Sequence, residues 1–111
     1  IEDPVLVEHL RTHQIPLTVC PLSNIKLNVF PSMYDHNIVE LNRAGLCVTI
    51  NSDDPAYFGG YINDNYAAVQ HAFDLDRTDL GQYAMQSVQA SFASTKRKRL
   101  LRQEIEEVMS R

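Results

Sequence analysis

Gly45-Leu46-Cys47-Val48-Thr49-Ile50-Asn51-Ser52-Asp53-Asp54-Pro55 is the stretch on which the fold turns. Residues 46–50 are a nearly unbroken apolar or β-branched run, too short for a helix and stopped by polar turn formers. Such a run reads as a strand buried on both faces, the pattern of parallel sheets covered by helices. The polar residues that follow it hold two adjacent carboxylates. In barrels of alternating strands and helices the chemistry gathers at the C-terminal ends of strands, so Asp53 and Asp54 are the first site candidates. Neighbouring carboxylates at a packed strand end repel each other unless a cation or a donor compensates, and a divalent metal is one such cation. Ser-Asp-Asp-Pro is equally good material for a turn or a helix N-terminus. Spacing alone leaves both readings open.

Upstream, residues 35–44 predict a helix with Ile38, Val39 and Leu41 inward and Gly45 as its stop. Residues 15–20 form a second short apolar, β-branched run, ended by Pro21, which predicts another buried strand. Pro21-Leu22-Ser23-Asn24 reads as a turn and residues 25–34 as irregular, with Pro31 a further breaker. Before them a surface helix is expected over 3–13, with Asp3 as N-cap, Pro4 in its first turn and Val5, Leu6 and Leu10 on its apolar face. Downstream of Pro55 an aromatic, glycine-containing loop, Ala56-Tyr57-Phe58-Gly59-Gly60-Tyr61, precedes helices expected over 63–73, 79–90 and 95–109. The loop aromatics suit either core packing or the lining of a pocket, and the glycines permit close backbone approach. Alternating helices and strands imply an α/β fold.

The 111 residues carry a net charge of −4 and are 44% hydrophobic, ordinary for one small globular domain. Mild acidity argues against a nucleic-acid partner, and no apolar run reaches the length of a membrane helix. Cys20 and Cys47 make no CxxC and no disulfide framework, which suits free thiols in a reducing cytoplasm. The chain opens on Ile1 rather than Met, at a helix start, and is therefore expected to be a piece of a longer protein. His9 and His13 stand four apart but lack the glutamate of H-E-x-x-H, and read as solvated surface. His36 and His71 are isolated on expected helices and read as structural or exposed. Lys96-Arg97-Lys98-Arg99 with Arg102 is followed by Glu104, Glu106 and Glu107, which predicts mixed-sign pairing along a solvated helix.

The run Thr49-Ile50-Asn51-Ser52-Asp53-Asp54-Pro55 resembles the last-strand signature of the adenosine, adenine and AMP deaminases, a strand ending in (N/S)-(T/S)-D-D-P. Leu17-Thr18-Val19-Cys20-Pro21-Leu22-Ser23-Asn24 is similar to that family's preceding strand end, C-P-x-S, and Ser87-Val88-Gln89-Ala90-Ser91-Phe92 resembles its helix motif closing on Ser-Phe. The resemblance runs in order along essentially the whole chain. It implies the C-terminal portion of a TIM (β/α)8 barrel: the last two βα units plus terminal helices, with residues 1–111 one segment of a single deaminase domain. It also implies zinc-dependent hydrolytic deamination of a small aminopurine with release of ammonia. Asp53 would be the catalytic zinc ligand that orients the attacking water, and Asp54 would hydrogen-bond the purine ring. The family's remaining residues, a His-x-His, a middle-strand His with its Glu and a further His, have no counterpart in this sequence. The chain alone is thus expected to be inactive and to self-associate or swap. P-C-x-x-C, the mark of the cytidine-deaminase design, is absent. Asp-Asp-Pro-Ala-Tyr-Phe-Gly-Gly-Tyr is most similar to the adenine deaminases, with adenosine deaminases as the alternative. A self-standing interaction domain, with Asp-Asp-Pro a mere helix cap, is the alternative from another class.

Overall fold

The computed structural model describes residues 3–111; Ile1 and Glu2, on which the expectation about the chain's opening rests, lie outside the described residues. Helix α1 (Pro4–His13) starts as expected: the Asp3 carboxylate accepts from the N–H groups of Val5 and Leu6 and covers donors that a first turn leaves unpaired. Its inward face differs from the one expected. Val5 and Leu6 are 80% and 51% exposed, while Val7 and Leu10 touch the core.

Strands β1 (Leu17–Val19) and β2 (Val48–Ile50) pair in parallel, Leu17 opposite Val48 and Val19 opposite Ile50. Both are shorter than the apolar runs that announced them, and only β2 is buried as expected: in β1 Thr18 is exposed and Leu17 and Val19 are half-buried. Between the strands lie α2 (Pro21–Lys26), a 3-10 turn at Met33–Asp35 and α3 (Ile38–Arg43). The first of these corrects the reading of residues 21–24 as a turn. Pro21 stands at the start of α2, where its missing N–H costs nothing, so it opens a helix rather than merely ending a strand. The short α4 (Pro55–Phe58) follows β2, in place of an aromatic loop. Then come α5 (Ile62–Phe73), α6 (Arg77–Ala90) and α7 (Thr95–Met109). Helix α6 begins two residues before the expected start, on a capping box in which Asp76 and Asp79 exchange backbone N–H bonds.

The core lies between the sheet and its helices. Ile38, Val39, Leu46, Val48, Ile50, Val69 and Tyr83 form one buried cluster, with Leu17, Val19, Val7 and Leu10 against it. Each fully buried aliphatic side chain contributes roughly 1.5–3 kcal/mol relative to exposure. Burial and low polarity also push the Tyr83 hydroxyl pKa up to about 12, with Asp79 adding to the effect. On β2, Cys47 and Asn51 bond to β1, which turns the intervening Val48 carbonyl to the opposite edge. There the Gln86 side chain of α6 donates to it, so part of that edge is capped. Along α7 the expected charge pairing takes another form. Among the described residues no ion pair joins the 96–102 cluster to Glu104, Glu106 or Glu107; Glu107 pairs instead with Arg111, past the helix end, at 4.0 Å, and Lys98 Nζ donates to the Gln89 carbonyl at 2.9 Å.

Candidate active site

The parallel pair brings the C-terminal ends of β1 and β2 side by side, and that is where the polar residues of both runs meet. Asn51 N–H donates to the Val19 carbonyl at 2.8 Å, locking the two ends together. The Asn51 amide donates to Thr49 Oγ1 at 2.9 Å, and Thr49 Oγ1 donates in turn to the Leu17 carbonyl at 2.8 Å. Beyond this staple the chain reverses sharply. Asp53 takes a left-handed backbone, φ 57°, which non-glycine residues adopt sparingly and Asp more readily than most.

That conformation places the Asp53 carboxylate over β1's end. Oδ2 accepts the hydroxyl of Ser23 on α2 at 2.9 Å. Ser23 is 1% exposed, so a buried donor holds an exposed carboxylate. Cys20 lies against the same residue and accepts a hydrogen bond from its backbone. Burial raises the thiol pKa, and the charge of Asp53 raises it further, which disfavours the thiolate. Asp54, next along, is the N-cap of α4: its Oδ1 accepts from the Tyr57 N–H at 3.2 Å. The helix-cap reading of Ser-Asp-Asp-Pro therefore holds for Asp54, but the cap occupies only one of its oxygens. For Asp53 it does not hold.

The aromatic segment stands beside these carboxylates and is largely uncovered. Tyr57 is 74% and Tyr61 66% exposed, so core packing does not account for them; Phe58 is half-buried and meets Tyr57 edge-on at 4.9 Å. Gly59 has φ +78°, open only at a cost to other residues, and a Cβ on Gly60 would stand 2.2 Å from Leu22 Cδ1. The two glycines thus let the segment close down on α2. Histidines lie elsewhere. His9 and His13 are exposed on α1, and His71 is exposed on α5. His36 is buried at the start of α3 and bonds to Asn24.

A metal ion would find part of a site here. Asp53 supplies a hard oxygen donor already oriented by Ser23, which suits a divalent cation. Among the described residues no group of three His, Cys, Asp or Glu side chains converges tightly enough to hold an ion. The geometry of Asp53 is compatible with a single ligand position and no more. Sequence reasoning singled out both aspartates and quoted Ser23 only within C-P-x-S; it missed His36 and Asn65 as partners of that segment.

A parallel strand pair under helices, with carboxylates at the C-terminal strand ends, is the arrangement of a site in an α/β barrel. The adenosine deaminase family profile matches residues 1–108, and the chain belongs to that family. It is 56% identical over 101 residues to the adenine deaminase of Crocosphaera subtropica, covering 91% of this chain and 31% of that protein. The crystal structure of adenine deaminase from Arthrobacter aurescens superposes with a TM-score of 0.97 at 41% identity, over 99% of this chain and 34% of that one. A zinc-bound amidohydrolase from Burkholderia ambifaria has the same fold, with a TM-score of 0.83 at 18% identity, over 98% of this chain and 31% of that one. The chain thus spans about a third of the length of these relatives. Its fold is two βα units and the following helices of a (β/α)8 barrel. No helix among the described residues is long and apolar enough to cross a membrane.

Proposed function

We propose that residues 1–111 are the C-terminal segment of a single deaminase barrel, and that the whole protein hydrolyses adenine to hypoxanthine and ammonia. The observation that carries this reading is the Asp53 carboxylate, held by a buried serine at the paired strand ends. Asp53 would serve as one zinc ligand through the oxygen that Ser23 leaves open, and would orient the water that attacks the amino-bearing carbon. When bound, zinc supplies the Lewis acidity that makes water nucleophilic near neutral pH. Asp54 would use the oxygen not engaged by Tyr57 N–H to hold the purine ring. Tyr57 and Tyr61, exposed beside the pair, offer faces against which a planar base can stack. The free thiols Cys20 and Cys47 suit work in the cytoplasm.

Adenine and adenosine present the same ring and the same carbon to this site, so discrimination has to come from the space beside the ring nitrogen that carries ribose. The 56% relative named for adenine favours the free base. Bulky Tyr57 and Tyr61 would meet a ribose with a clash and leave its hydroxyls unpaired. Steady-state kcat/KM of the full-length protein for both substrates tests this. Higher efficiency on adenine is expected, and equal or higher efficiency on adenosine would transfer the assignment to adenosine deamination.

A further inference from the structure

Ser23 sits between two residues that are each held by a buried polar side chain from a distant part of the chain. On one side, the Leu22 N–H donates to Asn65 Oδ1 at 3.0 Å. Asn65, 0% exposed, also donates through Nδ2 to the Tyr61 carbonyl at 2.9 Å and the Gly60 carbonyl at 3.4 Å. On the other side, Asn24 Oδ1 lies 2.9 Å from His36 Nε2. The Ile38 N–H donates to His36 Nδ1 at 3.0 Å, so Nδ1 is an acceptor and the neutral ring carries its proton on Nε2, which donates to Asn24. His36 is 5% exposed, with the Phe30 ring 4.5 Å from its own.

We propose that His36 and Asn65 are positioning residues for Asp53, a two-sided clamp on Leu22 and Asn24 that delivers the Ser23 hydroxyl to Asp53 Oδ2. Asp53 is exposed and, among the described residues, Ser23 is the side chain that hydrogen-bonds its carboxylate. The direction of the carboxylate therefore follows the position of α2. That helix has only six residues and has no side-chain cap bond at its start, so its own length does little to fix it. Both clamps tie it to segments that carry the site. His36 leads into α3 and, through it, to β2. Asn65 reaches the Gly60 and Tyr61 carbonyls beside the exposed aromatics. Helix capping alone would ask of His36 only the bond to Ile38 N–H, whereas the second bond, to Asn24, ties α3 to α2.

The clamp rests on the reading of Asp53 as a functional carboxylate of a purine deaminase, and the test separates the two. In the full-length protein, His36→Gln places an amide nitrogen where Nε2 was and keeps the bond to Asn24. His36→Asn keeps an oxygen near the Ile38 N–H and loses Asn24. Expected for His36→Asn is a fall in kcat per bound zinc of about 10- to 100-fold, the cost of a misplaced functional group, with KM for adenine little changed. His36→Gln should recover most of it. In a Ser23→Ala background, His36→Asn or Asn65→Ala should change kcat by less than about twofold, because the clamp acts through the serine. Full kcat per bound zinc in His36→Asn, or losses that simply multiply with that of Ser23→Ala, would overturn the clamp. Asp53→Ala in the same assay distinguishes the failures. If it stays active, the functional reading falls; if it is dead while His36→Asn is unaffected, only the clamp falls.

Discussion

Replacing Asp54 by Asn and by Ala separates the two roles that the structure allows it. Its Oδ1 caps α4 through the Tyr57 N–H at 3.2 Å, and the functional reading needs a second oxygen for the purine. Alanine removes both, at about 0.5–2 kcal/mol for the cap alone. Asparagine caps helices about as well as aspartate, but it has one acceptor oxygen instead of two and no charge. With that oxygen on Tyr57, the ring is left without its acceptor. Losing a hydrogen bond to a charged group costs about 1.5–3 kcal/mol, or roughly 10- to 150-fold in kcat/KM. We expect Asp54→Asn in the full-length protein to melt within about 1 °C of the parent, since only tenths of a kcal/mol are at stake in the cap. It should keep its metal and lose kcat/KM on adenine by that factor. Asp54→Ala should lose at least as much activity and melt lower. Wild-type kcat/KM in the asparagine variant would refute the reasoning, because Asp54 would then be a cap and nothing more.

Asp53→Ala should lose metal and activity together, which elemental analysis of the purified full-length variant beside its turnover checks; a variant that kept stoichiometric zinc would contradict the ligand role. Burial lowers the His36 pKa, so between the lowered value and the ordinary one near 6.5 the folded protein binds fewer protons than the unfolded chain. The His36 contribution to stability is therefore fully present above about pH 6.5, falls as the pH drops toward the folded value and levels off below it. Urea midpoints measured across that range should slope less in His36→Gln, and an unchanged slope would count against the buried neutral imidazole. The 111-residue chain by itself exposes Phe92 at 107%, Val5 at 80% and Tyr34 at 66%, so it should self-associate and hold less than one zinc per chain. Sedimentation showing a monomer with a tightly held ion would argue the other way.

Most of the fold was legible because its strongest elements are local. The apolar runs around Leu17–Val19 and Val48–Ile50 announce parallel strands, though only the second is buried throughout, and α7 keeps the bounds expected of it, 95–109. The failures came where two local signals compete. Val5, Leu6 and Val7 are consecutive, so a helical face can be drawn through any of them. Contact with Leu10 and the core selects Val7. Pro21 both ends a strand and opens a helix, and the sequence pattern does not say which property the chain uses.

The site divides along the same line. Asp53 and Asp54 stand next to each other at a strand end, so spacing raises the question and resemblance to a family gives it an answer. His36 and Asn65 leave no comparable trace. Their partners lie 12 and 43 residues away along the chain, and the second is a backbone N–H, which is the same in every residue but proline. An isolated histidine at a helix start looks like any other until the chain folds Asn24 against it. The pairing also explains why the cap reading of Asp-Asp-Pro competed so well with the functional one. A carboxylate has two oxygens, and here Asp54 spends one on Tyr57 and Asp53 one on Ser23. In each case structure takes one oxygen and aims the other, so the bond that looks merely structural sets the direction in which the remaining oxygen can act.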